Sequence, residues 1–323
     1  MEEEPAILAL YVVANLFPFL FHVFGLFLLL QIKELEMNGS QRIFLIHLSS
    51  SELLLAAFGL ARDITKGFKS KLDTHVYHVA NILQLSGISF VYYAVMILLT
   101  TDRFFELYLN IKYPLYWSSR QTKRVMLVTW LLATMFTLAV IVVHYVYKFD
   151  YRKMFYTYFY PIIETIFLIV AGTTYTYVLR VYRKGNKKIA NLAKCSNDIN
   201  TGNDRTGRRK SVRVNITNST FYLPTLLILS FILLIVLPDF IHFFAFQLGA
   251  TLPEAIEHSI YITYQLAFTL DAVFYIFLCP PVRRLMIKLF CKKRHYKRRN
   301  AVFERRNAVV ELQTSSAAST ITR

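Results

Sequence analysis

Seven apolar stretches divide the 323-residue chain, and they leave few folds open to it other than a helix bundle inside a bilayer. A hydrocarbon core is crossed by about 20 apolar residues when a helix bonds all its own backbone groups. The stretches run over about 6–32, 43–61, 76–101, 125–147, 154–179, 220–246 and 258–281, close to the length a tilted helix needs. The first, third and fourth hold no Asp, Glu, Lys or Arg. The second holds Glu52, the fifth Glu164, the sixth Asp239 and the seventh Asp271. The fold class is therefore an all-α membrane protein, a seven-transmembrane helix bundle. After Pro280-Pro281, Arg283, Arg284 and Lys288 alternate with Leu285, Met286, Ile287 and Leu289, a pattern that predicts a short amphipathic eighth helix over 282–291. Residues 1–291 form one domain on this reading, and 292–323 form a basic, flexible cytosolic tail.

A net charge of +17 would suggest nucleic acid if the charges were spread evenly. They are not. The connections after spans one, three and five and the segment after Val282 carry 30 of the 37 Lys and Arg. The other side carries Arg62, Lys66, Lys69, Lys71, Lys148, Arg152 and Lys153. By the positive-inside rule the N-terminus lies outside and the C-terminus in the cytosol, an arrangement that needs an odd number of spans. The expected location is the plasma membrane, multi-pass. The basic clusters are expected to lie on anionic inner-leaflet lipid, with no nucleic-acid partner. The acidic start Met1-Glu2-Glu3-Glu4 predicts a signal anchor rather than a cleaved signal peptide.

Charges inside or at the ends of spans are costly and mark function or pairing. Thr101-Asp102-Arg103-Phe104 closes the third span with an acid–arginine pair. It reads as a switch, or as an interfacial pair that snorkels. Glu52 and Asp271 are acids deep in apolar helices. They share a cation or one proton, or each is satisfied separately, for example by Ser49, Ser50 or Ser51. Pro238 removes a backbone hydrogen bond and predicts a kink in the sixth helix. Beside it, Asp239, His242 and Phe243, with Glu164, Tyr261, Tyr264 and Gln265, read as an aromatic pocket with a negative lining. That lining suits a cationic ligand; the alternative is a structural polar network.

Taken together, these motifs resemble those of the rhodopsin-like (class A) G-protein-coupled receptors, over residues 6 to about 291. Asp102-Arg103-Phe104 is similar to the family's Asp-Arg-Tyr. Leu48-Ser49-Ser50-Ser51-Glu52 is similar to its Leu-Ala-x-x-Asp, Trp130 to its fourth-helix Trp and Pro238 to its sixth-helix proline. Asp271-Ala272-Val273-Phe274-Tyr275 is similar to its Asn-Pro-x-x-Tyr. The departures mark a divergent, orphan member. No cysteine stands at the outer end of the third helix or in the second outer loop, Val236-Leu237 stands where Cys-Trp is usual, and Ala272 replaces a proline. Pro114 follows Arg103 one turn late, and counting back from it would put Glu106-Leu107-Tyr108 in the motif's place.

The resemblance implies a receptor that converts binding of an unknown extracellular ligand into activation of a heterotrimeric G protein. Asp102, Arg103, Phe104 and Tyr275 would be its coupling switch. Glu52 and Asp271 would flank a sodium ion, with no other cofactor. Leu85, Ser86 and Ser89 of the third helix would join the pocket residues, and Gln84-Leu85-Ser86 in place of an Asp argues against a usual monoamine site. The rival reading is a seven-helix ion transporter or channel using Glu52, Asp102, Glu164, Asp239 and Asp271. No phosphate-cradling loop and no metal-spaced Cys/His set points to an enzyme. Arg208-Arg209-Lys210-Ser211 fits a phosphorylation site at Ser211 or a solvated basic loop. Cys291 is a candidate for palmitoylation or a free thiol.

Overall fold

The computed structural model describes residues 5–32, 37–67, 71–109, 113, 117–199, 218–250 and 252–289. Ser211, Cys291 and the tail 292–323 lie outside the described residues. Helix α1 is Pro5–Gln31 and α2 is Gly39–Gly67. Helix α3 runs through Lys71–Leu83, a π turn at Gln84–Ile88, and Ser89–Leu109. Helix α4 is Ser119–Tyr147. Helix α5 joins Tyr151–Met154, a π turn at Phe155–Phe159, and Tyr160–Ile199. Helix α6 joins Asn218–Phe231, a π turn at Ile232–Val236, and Leu237–Gln247. Helix α7 is Glu254–Leu278, and a short α8 follows over 280–289. Seven of these helices are long and apolar enough to cross a membrane.

Helix α4 shows why the bundle belongs in lipid. Its buried positions, Thr122, Met126, Thr129, Ala133, Thr137 and Val140, recur at helical spacing and are mostly small or hydroxylated. Its exposed positions include Leu127, Leu131, Met135, Leu138, Val142 and Val146. That polarity is the reverse of a soluble helix, whose apolar stripe faces the core. Small inward residues allow close approach where the surroundings are as apolar as leucine. Ser118 starts the helix with a capping box, accepting from the Gln121 backbone N–H while the Gln121 side chain accepts from the Ser118 N–H.

Helix α3 occupies the centre and packs against α2, α4, α5 and α6, while α1 rests on α2 and α7. Trp130 of α4 donates its indole N–H to His47 of α2 at 3.1 Å. Each of the three π turns has a local cause. Pro238 would drive its ring into the carbonyl of Leu234, four residues back, and the turn at Ile232–Val236 relieves that crowding. Pro161 stands in the same relation to Thr157 within Phe155–Phe159. In α3, Ser89 donates to the carbonyl of Gln84 at 2.7 Å, and Gly87 lies so close to Thr137 that a β-carbon would overlap its hydroxyl.

Several helices run beyond the apolar spans read from the sequence, α2 and α5 among them. Helix α2 continues past residue 61 through Arg62 and Asp63, because the two charges are paired and no breaker interrupts the helix. Helix α5 continues past 179 to Ile199, through a stretch rich in lysine and arginine, which favour helix despite their charge.

Candidate functional site

The polar side chains inside the bundle fall into three layers. The first lies at the end that carries the α3–α4 connection. Arg103 donates to Asp102 Oδ2 at 2.6 Å, and also to Glu106, one turn on along α3. Asp102 is 1% exposed and Arg103 8%. Tyr113, from the α3–α4 connection, donates its hydroxyl to the other oxygen of Asp102. Burial and the Asp102 carboxylate hold the Tyr113 phenol above its ordinary range, so it stays a donor. The Arg103 Nε is buried with no partner among the described residues. Phe104 packs edge-on against Tyr177 of α5, with ring centroids 5.1 Å apart.

The middle layer holds Glu52 and Asp271, both fully buried and facing one another. Asp271 accepts from Ser230 at 2.7 Å and from Tyr92 at 3.4 Å. Both Glu52 oxygens are enclosed without a hydrogen-bond partner among the described residues. His22 Nε2 lies 3.4 Å from Glu52 but gives its proton to the Phe268 carbonyl at 2.8 Å. Neither Ser50 nor Ser51 satisfies Glu52: each donates to a carbonyl of its own helix, Ile46 and Leu48 respectively. An enclosed carboxylate pair of this kind is tolerable only with a proton or a cation between the two. Two carboxylates beside a serine hydroxyl are a hard oxygen set, which fits a sodium ion.

Tyr275 belongs to this middle layer and not to the Arg103 cluster. Its hydroxyl meets Ser49 Oγ at 2.9 Å and His22 Nδ1 at 3.1 Å, tying α7 to α2 and α1. The four residues expected to act together as a switch are thus divided in this conformation between two layers.

The third layer surrounds a cavity of about 600 Å³ that reaches the end carrying the α4–α5 and α6–α7 connections. Among the residues expected there, Leu85, Ser89, Asp239, His242, Tyr261, Tyr264 and Gln265 line it. Ser86 does not: the π turn rotates it toward α4, where it bonds Thr137 at 3.1 Å. Phe243 is not part of the wall and packs its ring against Phe244. Glu164 sits behind the wall, fully buried. Tyr93 joins it to Asp239, with the hydroxyl 2.9 Å from Glu164 and 3.1 Å from Asp239. Tyr264 donates to the second oxygen of Asp239 at 2.5 Å. Gln265 Oε1, Glu164 Oε2 and Thr157 Oγ1 are buried without partners among the described residues.

The mouth carries residues that fall outside the apolar spans in the sequence. Arg62 pairs with Asp63 at 2.9 Å and with Gln84 at 3.2 Å, and its guanidinium lies 5.0 Å from the Tyr261 ring centre. Asp63, fully buried, also accepts from Asn15 and Tyr261, each at 2.8 Å. Arg152 and Lys153 line the cavity as well, together with Asp150 and Glu257, so the mouth carries both signs and the lining is not negative throughout. A charge pair written as adjacent residues, Arg62-Asp63, was the one available signal for this upper network. The chain matches no protein-family model and no curated protein.

Proposed function

We propose that the chain is a plasma-membrane receptor of the rhodopsin-like kind. It binds an extracellular small molecule in the cavity and activates a heterotrimeric G protein through Arg103. The observation that carries this reading is the placement of a roomy polar cavity at one end of the bundle and a sealed Asp102–Arg103–Tyr113 cluster at the other, both built on α3. The α3–α4 connection, the α5 extension and α8 are basic, which suits both anionic inner-leaflet lipid and a G-protein surface. Helix α6, with Pro238 beside its π turn, supplies a pivot between the two ends. A ligand that prefers one α6 position over the other shifts the population accordingly. Sodium between Glu52 and Asp271 would neutralise the middle layer in the resting state.

The test compares the wild-type chain with Arg103→Ala, at matched surface expression, in cells carrying G-protein activation sensors. Activation that the variant loses supports the receptor. A second reading, an ion transporter, draws on the unpartnered Glu52 oxygens. It requires cation flux in liposomes that contain no G protein, and flux that survives Arg103→Ala.

A further inference from the structure

The cavity is polarised along its length, and this bears on what it binds. At its floor the unmet groups accept hydrogen bonds. Gln265, 4% exposed and part of the lining, presents an Oε1 without a partner among the described residues, and Asp239, which accepts from Tyr93 and Tyr264, lines the same cavity. The rings of Tyr93 and Tyr160 pack 5.7 Å apart, Tyr156 lies 5.7 Å from His242, and Tyr93 and Tyr264 meet the acid through their hydroxyls. A carboxyl group with an amide acceptor and tyrosine hydroxyl oxygens suits an ammonium group.

At the mouth the balance is opposite. Arg62 is already neutralised by Asp63. Asp150 spends its carboxylate accepting from the backbone N–H groups of Arg152 and Lys153 at the start of α5. Arg152 donates to Tyr77 at 2.7 Å, and among the described residues no carboxylate pairs with its guanidinium. Glu257 is the remaining acid in the lining, on the α7 side. Tyr156 stands one turn beyond Arg152 on α5, and its ring packs 5.7 Å from His242, which stands one turn beyond Asp239 on α6, so the two poles border the same stretch of the cavity. An anion alone would meet the acidic floor. An amine alone would leave the Arg152 fork unused.

We infer that the ligand is a small zwitterion, held with its ammonium group inward against Asp239 and Gln265 and its carboxylate outward against Arg152. This rests on the receptor reading of the cavity and adds the chemical class of what fills it. A volume of about 600 Å³ is ample for an amino-acid derivative.

The test uses the full chain in lipid nanodiscs and follows its thermal midpoint. The probes are ω-amino acids of increasing chain length, each compared with the n-alkylamine and the alkanoate of equal length. The expected result is that at one or two lengths the amino acid raises the midpoint more than either singly charged analogue does. Arg152→Gln should then weaken that amino acid about tenfold, to the level of the amine, and leave the amine unchanged. The midpoint of Arg152→Gln without ligand serves as the folding control. If amines match amino acids at every length, if Arg152→Gln leaves the preference intact, or if no probe shifts the midpoint, the zwitterion assignment is overturned. The receptor reading is tested separately by Arg103→Ala, so the two can fail independently.

Discussion

The phenol of Tyr275 on α7 lies directly over Gly25 on α1, so close that a β-carbon at position 25 would overlap the ring and its hydroxyl. The glycine therefore makes room for the hydroxyl to reach Ser49 and His22. Gly25→Ala is expected to push Tyr275 out of this position and to lower stability by about 1–3 kcal/mol, the usual cost of overpacking a core. A thermal midpoint in nanodiscs equal to that of the wild type would contradict it. Tyr275→Phe, which keeps the ring and removes the hydroxyl bonds, should have a smaller effect.

Tyr113 holds Asp102 from outside the span. On the proposed receptor function, Tyr113→Phe and Asp102→Asn are each expected to loosen the Asp102–Arg103 pair and to raise basal activation, read with G-protein sensors. The phenol's upward shift also sets a pH sign. Because the folded protein holds this proton more tightly than the unfolded chain does, the contact's stabilisation is complete below about pH 10 and declines above it. Wild type and Tyr113→Phe should therefore converge in stability in strongly alkaline buffer, as followed by thermal unfolding.

Asp63 and Arg62 form a buried pair whose halves depend on each other. Asp63→Ala strands the Arg62 guanidinium and removes the acceptor for Asn15 and Tyr261, so a loss of about 3–5 kcal/mol is expected. Replacing both charges together, Arg62→Met with Asp63→Leu, should recover much of that loss. A double-mutant cycle on thermal unfolding gives the coupling directly, and additive losses would refute the pairing.

If a sodium ion bridges Glu52 and Asp271, replacing sodium chloride by N-methylglucamine chloride should lower the thermal midpoint of the wild type. Asp271→Asn should abolish that dependence. An equal salt response in both proteins would leave a shared proton as the account of the enclosed Glu52 oxygens.

The spans were legible because length and apolarity alone define them, and their number and order stand in the structure. The upper network was hidden for the same reason. Arg62 and Asp63 end an apolar run, and in sequence a charge pair looks like a loop, although here it is held inside α2 by Gln84, Asn15 and Tyr261. Which face a residue occupies was also out of reach. Period counting assumes regular helix, and the π turn in α3 places Ser86 against Thr137 while Leu85 and Ser89 face the cavity. The basic residues at the mouth were missed because Arg152 and Lys153 were counted as loop charges, whereas the Asp150 cap starts α5 early enough to bring them over the cavity.

The three π turns border the cavity from three sides, in α3, α5 and α6. Each adds one residue to a turn, which rotates everything on one side of it by about 100° relative to the other. The two ends of each helix are therefore geared separately. Sliding such a turn by a few residues would aim a new set of side chains at the cavity while Asp102 and Arg103 kept their settings. Moving such a defect along a helix changes the cavity wall with no change of chain length and no disturbance of the polar cluster at the opposite end.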